Sequence, residues 1–390
     1  MDKVRFGMLG CGNIGTTHAK IFMKNQVENG VLTAVCDVNP AKIEKIKEIP
    51  GMENVATFTD YREMFASGLI DVAIIGVPHY FHPKFTIEAL RAGLHVISEK
   101  PAGVYTKQVK TMINEAKKHD KLFGMMFNQR TNCVYRKMRE MIQNGEIGNI
   151  KRINWIITDW YRTQYYYDSG DWRATWSGEG GGVLFNQCPH QLDLLQWVAG
   201  MMPSRVHSHC HFGKWHDIEV EDDVTVYLEY ENGATGSFVT TTADAPGTYR
   251  LETTGDLGTL ICEKHTLTFK KLEENERDFC KNATEGFAKP KYTTTEVETD
   301  GKNPQHSGIF NNFANAVLGI EPLFVSGEEG LNGVEIMDAM LLSTWLDKPV
   351  ELPFDDELYI DILKEKIKSS RRPANKDHVI FSDDGCGDIT

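Results

Sequence analysis

Apolar residues follow two regimes along this chain. Over residues 1–125, short apolar runs alternate with stretches whose apolar positions recur three and four apart. The runs 4–9, 32–36, 71–77, 94–98 and 121–126 read as strands, and 14–25, 40–48, 82–92 and 106–119 as helices. Asp60 is placed to cap a short helix over 61–66. The run Asp71-Val72-Ala73-Ile74-Ile75-Gly76-Val77 is almost continuously apolar, as a parallel strand covered on both faces requires. This alternation predicts a doubly wound parallel sheet.

After residue 126 the pattern changes. An amphipathic helix is expected over 130–144, stopped by Gly145 and Gly148, and a strand over 150–159. An aromatic loop from Trp160 to Trp176 leads to Gly178, the run Gly180-Gly181-Gly182, and a helix over about 186–199. Strands at 205–212, 223–231, 234–242, 248–254 and 258–263 are separated by turns such as Glu231-Asn232-Gly233. They predict an antiparallel sheet with one solvated face and one face under helices. Residues 272–304 read as polar and irregular, with helices at 305–318 and 328–346 and a polar tail over 368–390. The expected organisation is therefore 1–125, 126–367 and 368–390.

The first strand ends in Gly10-Cys11-Gly12-Asn13-Ile14-Gly15. Glycines spaced G-x-G-x-x-G between a strand and a helix make a phosphate turn. Gly10 permits the tight bend, Gly12 lets a pyrophosphate approach the backbone, and Gly15 lets helix and strand pack closely. Asn13 and Ile14 open the helix, whose free N–H groups attract the anion. The second strand ends in Asp37, close to the roughly 20-residue spacing expected of an acid that accepts from the ribose hydroxyls. Its charge opposes a 2′-phosphate, and Val38-Asn39-Pro40 supplies no arginine, so NAD is expected over NADP. Ligands of such sheets bind beyond the carboxyl ends of the strands. Val77, Pro78, His79, His82 and Glu99-Lys100-Pro101 all fall there.

Two further groups carry chemistry. Lys100, in a crevice at a strand end, can polarise a substrate oxygen as an ammonium. Asn186 and His190 are four apart and share a helical face, where His190 can accept a hydroxyl proton as hydride leaves the same carbon. Asp193 either orients that imidazole or is a helix-surface acid.

Composition narrows the picture by exclusion. The 390 residues carry a formal net charge of -13, against a nucleic-acid or anionic-membrane surface. No apolar run approaches the roughly 18 residues of a membrane span. No secretory pattern opens the chain, so a cytoplasmic location is expected. Eight scattered cysteines form no C-x-x-C pair and read as reduced thiols. His207, His209 and His211 alternate along a strand on a solvated face, with no carboxylate or cysteine cluster to complete a metal set. Glu219-Val220-Glu221-Asp222-Asp223 lacks calcium-loop spacing and reads as a solvated turn. No metal is expected.

Together, Gly10–Gly15, Asp37, Glu99-Lys100-Pro101, Gly180–Gly182 and His190 resemble the Gfo/Idh/MocA family of NAD(P)-dependent sugar and polyol oxidoreductases, over roughly 1–350. The resemblance implies an α/β protein. An N-terminal Rossmann domain is followed by a C-terminal α+β domain with a large open, mostly antiparallel sheet, commonly a homodimer or homotetramer interface. It implies Lys100 as catalytic lysine and His190 as catalytic histidine. Asn186 stands where aspartate is often found, and an amide cannot take up a proton. Asn186 is then expected to hydrogen-bond the substrate or Lys100.

Pro78-His79 and His82 resemble the loop at the nicotinamide ribose. Asn128-Gln129-Arg130 resembles a segment lining the substrate cleft, with Asn128 toward the cofactor and Arg130 toward the substrate. Trp172-Arg173 resembles a pair reaching the cofactor from the second domain. Arg162, Thr163 and Tyr165-Tyr166-Tyr167 share its loop and suit sugar hydroxyls and rings. The expected activity is NAD-dependent hydride transfer at a secondary hydroxyl of a sugar, glycoside or cyclic polyol. The alternatives are a redox-assisted glycosidase that recycles bound NAD and a non-catalytic NAD-binding sensor.

Overall fold

The computed structural model describes residues 3–170, 172–263, 266–370, 380–381 and 387–388, so the tail expected over 368–390 lies almost wholly outside the described residues. Six strands, β1 (Val4–Leu9), β2 (Gly30–Cys36), β3 (Ala56–Phe58), β4 (Val72–Ile75), β5 (His95–Ser98) and β6 (Phe123–Met125), form one sheet. Its order is β3-β2-β1-β4-β5-β6 and every described pairing is parallel. The order reverses between β1 and β4, which opens a crevice beyond their carboxyl ends. Helices α1 (Asn13–Met23), α2 (Pro40–Lys47), α3 (Tyr61–Ala66), α4 (His82–Arg91) and α5 (Thr106–Ala116) complete this half. Asp60 accepts from the Arg62 N–H at 2.9 Å and starts α3 as expected.

The second half contains α6 (Cys133–Gln143), β7 (Ile150–Ile157), α7 (Gln164–Asp168), α8 (Val183–Asn186) and α9 (Pro189–Ala199). It continues through β8 (Arg205–Phe212), β9 (Glu221–Glu229), β10 (Thr235–Thr241), β11 (Tyr249–Gly255), β12 (Gly258–Glu263), β13 (Thr266–Leu272), α10 (Glu276–Asn282) and β14 (Tyr292–Glu296). The chain then forms α11 (Gln305–Val317), α12 (Gly330–Leu346), β15 (Val350–Glu351) and α13 (Asp356–Lys368). Nine strands make the second sheet, antiparallel except where β10 runs parallel to β7. In β7 and β9, buried and more exposed residues alternate over most of the strand, the mark of one covered and one open face.

Residues 272–304 differ from expectation: they contain α10 and β14. No residue of either element is buried, so no apolar periodicity announces them. β14 forms by pairing along β13 at the sheet edge. The helix expected over 186–199 begins later, at Pro189, and Asn186 instead ends the short α8, so Asn186 and His190 lie on different helices.

The late helices return to the first sheet and fix the two halves together. Phe310 of α11 packs at ring-centroid distances of 6.0 Å from Phe6 and 5.1 Å from Phe22. Asp338 of α12 is fully buried and accepts from the Thr106 N–H at 2.9 Å, capping α5, which has no side-chain cap of its own. Asp356 of α13 accepts from Lys110 Nζ at 2.7 Å.

Candidate active site

The glycine turn shows which glycines serve the fold and which face outward. Gly10 has φ of 101°, and a Cβ there would lie 2.2 Å from the Gly76 carbonyl oxygen. A Cβ on Gly15 would lie 2.2 Å from the Gly10 carbonyl oxygen. A Cβ on Gly12 would meet nothing within 4 Å. No side chain caps α1, whose first N–H groups therefore need a partner beside that open surface. Asp37 is held beside the turn, accepting from the N–H of Cys11 and of Asn39, each at 2.9 Å. An open backbone cradle, an uncapped helix and an adjacent carboxylate fit a dinucleotide.

The next strand ends form the floor of the crevice. His82 is buried, with Nδ1 2.6 Å from the Pro101 carbonyl oxygen and Nε2 2.7 Å from that of Val77. Its ring therefore ties the two loops together rather than reaching outward. His79 is buried with Nδ1 3.2 Å from the Glu179 carbonyl oxygen, and its ring meets Trp172 at 5.3 Å. Trp172 thus crosses from the second half to this floor. Burial, reinforced by the charges of His82 and Lys100, holds His79 well below the usual imidazole range.

Lys100 lies at the seam, near enough to His190 for its charge to act on that ring. Lys100 Nζ donates to the Asn186 carbonyl oxygen at 2.9 Å. Burial draws its ammonium below the usual lysine range, against the opposing pull of Glu99 and Glu179. Four residues beyond Asn186, His190 is held well below its ordinary value by burial and by the Lys100 charge. Its Nδ1 is buried and makes no hydrogen bond.

Asn186 meets Lys100 as expected, but through its backbone carbonyl, because its side chain is engaged elsewhere. Its Nδ2 donates to Glu179, and its Oδ1 accepts from the Tyr166 hydroxyl at 3.0 Å and from Gln187 at 3.0 Å. Arg173 in turn donates to the Tyr166 hydroxyl at 2.7 Å. Arg162 and Arg173 flank the Tyr166 ring, 5.1 and 4.7 Å from its centroid. Thr163 is exposed, Tyr165 is 81% exposed, and Tyr167 is buried against Thr242 at 2.7 Å.

Several expectations are corrected. Arg130 is not in the cleft: it is fully buried, bonded to both oxygens of Asp193 at 2.8 and 2.6 Å and to Glu329. Asp193 therefore serves Arg130 and not the His190 ring. Neighbouring Asn128 is buried and donates to Gln305. The acid run is not a solvated turn, because Glu221 and Asp222 are fully buried. Glu221 accepts from the N–H of Gly182 at 2.7 Å and of Leu184 at 3.1 Å, while Asp222 accepts from three successive N–H groups, Lys214 to His216. The Gly180–Gly182 run admits protein rather than ligand. Cβ atoms there would lie 2.1 Å from Val104, 2.2 Å from Phe185 and 2.0 Å from the Glu221 carbonyl oxygen.

Sequence reasoning missed Glu179, buried under Asn186, with its carboxyl raised by burial. An acid inside a run of glycines was the available signal. It also missed His18 and His306, which approach Glu99 from α1 and α11.

Comparison with known proteins agrees with this architecture. Residues 4–127 match the model of an oxidoreductase family with an NAD-binding Rossmann fold, and residues 135–261 match that of the GFO/IDH/MocA C-terminal domain. Myo-inositol 2-dehydrogenase of Thermotoga maritima is 25% identical over 84% of this chain and 92% of its own. D-glucoside 3-dehydrogenase of Escherichia coli is 28% identical over 59% of this chain and 68% of its own. The crystal structure of the WlbA dehydrogenase of Chromobacterium violaceum, in complex with NADH and UDP-GlcNAcA, superposes with a TM-score of 0.78 at 28% identity. It covers 91% of this chain and 97% of that one. With both halves matched and the dinucleotide cradle in place, the chain belongs to the Gfo/Idh/MocA family and is an NAD-binding oxidoreductase.

Proposed function

We propose that this protein oxidises a secondary hydroxyl of a sugar, glycoside or cyclic polyol. When bound, NAD supplies the hydride acceptor, its nicotinamide ring. The observation that carries this reading is the Lys100 ammonium, anchored on the Asn186 carbonyl oxygen at 2.9 Å, with its charge acting on the part-buried imidazole of His190. Lys100 holds the reacting oxygen and favours negative charge on it. His190 is neutral near pH 7 because burial and Lys100 oppose its charging, so it is ready to take the hydroxyl proton. Arg162 and Arg173, spread over the Tyr166 ring, offer donors to further hydroxyls. The named activities of the inositol and glucoside dehydrogenases support the substrate class.

The test is a panel of inositols, free sugars and glycosides incubated with NAD and followed by NADH absorbance. Net NADH formation with at least one member, abolished in Lys100→Ala and His190→Ala, is expected. Release of an aglycone without net NADH would replace this reading with redox-assisted glycoside cleavage. The same reading makes the open sheet face, where Ile156 and Tyr227 are exposed, a contact between two copies. Light scattering should then return a multiple of the 44.1 kDa chain mass.

A further inference from the structure

Three side chains from separate elements converge beside the seam, one of them, Glu99, next to Lys100 in the chain. His18 comes from α1, Glu99 follows β5, and His306 opens α11. Each can offer one donor atom, and these atoms lie within 4.8 Å of one another. His18 is fully buried and Glu99 is 6% exposed.

The geometry points to a site for one divalent transition cation of the zinc class, bound by His18, Glu99 and His306. His18 Nε2 stands 3.1 Å from Glu99 Oε1, yet neither atom makes a hydrogen bond. Two buried polar atoms so close and so poorly aligned are costly to leave unsatisfied. The same spacing suits two donors sharing a metal, because bonds of about 2.0–2.2 Å in a tetrahedron set ligands roughly 3.4 Å apart. The donor atom of His306 lies within 4.8 Å of both, so a small side-chain rotation would complete that arrangement. Its ring lies 5.4 Å from that of His18, and Phe310 seals one side at 5.0 Å, edge-on to His18.

The donor set selects the ion. Two imidazole nitrogens and one carboxylate oxygen suit zinc, cobalt or iron(II), whereas calcium and magnesium prefer oxygen alone. The ligands lie at positions 18, 99 and 306, so no local spacing marks the set. The cation would join α1 and α11 to the end of β5, two residues before Lys100.

Tag-free protein, stripped with chelator and assayed without NAD or substrate, tests this directly. Titration with Co²⁺ should give the visible absorption of a four- or five-coordinate ion at one equivalent. Zn²⁺ should displace the Co²⁺ and raise the melting temperature. His306→Ala and His18→Gln should weaken Co²⁺ binding roughly 100-fold or more, since loss of even an outer-shell partner costs about 10–100-fold. His306→Asn, checked by circular dichroism, serves if His306→Ala fails to fold. His209→Ala, on the exposed face of β8 beside His207, should leave binding unchanged. No uptake by the wild type at micromolar metal overturns the proposal, as does uptake that survives both ligand variants or vanishes in His209→Ala. These readouts need no turnover, so they stand apart from the test of the oxidoreductase reading.

Discussion

Asn186 donates its amide N–H to the buried carboxylate of Glu179. A carboxylate thus sits directly behind Asn186, held by its amide. In Asn186→Asp two carboxyls face each other, one of them on the buried Glu179, and both cannot readily ionise. The pair must retain a proton that the unfolded chain gives up. We predict that Asn186→Asp melts at a lower temperature than the wild type, with the deficit growing from pH 6 to pH 9. Adding Glu179→Gln should remove most of that growth. Purely additive melting shifts across the double-mutant cycle would contradict the coupling.

Glu221 yields a second pH dependence. Burial raises its carboxyl from 4.5 to about 8, even though Gly182 and Leu184 donate to it. A raised carboxyl favours the folded state while both states are protonated, below about pH 4.5. Between pH 4.5 and 8 the unfolded chain loses its proton first, and the stabilisation declines across that window. Glu221→Gln keeps an acceptor for both N–H groups and cannot ionise. Relative to wild type, its melting temperature should rise more at pH 8 than at pH 5, as calorimetry at the two pH values would show.

The parallel sheet was legible because burial on both faces leaves only apolar residues in its strands, as in Val72–Ile75. The glycine turn was legible because its spacing is local. Arg130 was not: nothing near it in the sequence announces Asp193 and Glu329, which the fold brings to its guanidinium. Glu221 and Asp222 misled for a related reason. An acid run normally seeks water, but here backbone N–H groups of other segments replace it. The edge strand β14 and helix α10 bury nothing and so leave no periodic trace.

The glycines separate folding from cofactor binding. Gly12→Ala points its methyl into open space, so its melting temperature should stay close to wild type. The methyl occupies the approach of the pyrophosphate, and NAD affinity should fall roughly tenfold or more, about 1.4 kcal/mol. Gly15→Ala drives its methyl to 2.2 Å from the Gly10 carbonyl oxygen and should destabilise the fold itself. Melting curves with and without NAD distinguish the two.

Asp37 sets cofactor choice by charge and position. Its oxygens are fixed by Cys11 and Asn39, so a 2′-phosphate would meet a carboxylate unable to turn away. Asp37→Ala should narrow the preference for NAD over NADP by roughly tenfold or more. An unchanged ratio of the two dissociation constants, measured by fluorescence titration, would show that Asp37 does not read the ribose.

The proposed chemistry needs one group charged and another neutral, and burial shifts both downward. His190 must be neutral to take the hydroxyl proton, and it is held well below 6.5. Lys100 must be charged, and it is drawn below 10.5. For alcohol oxidation, kcat/KM should therefore rise with a midpoint below pH 6.5, level off, and fall with a midpoint below pH 10.5. His190→Ala should remove the acid limb that belongs to the imidazole, and Lys100→Ala the alkaline limb. Each should lower the plateau by roughly 100-fold or more. Lys100→Arg keeps the charge, since guanidinium does not deprotonate in this range, but loses the geometry. Its plateau should be low while its alkaline limb disappears, which separates the charge of Lys100 from its position. An alkaline limb that persists in Lys100→Arg would assign that limb to another group and remove Lys100 from the proposed role.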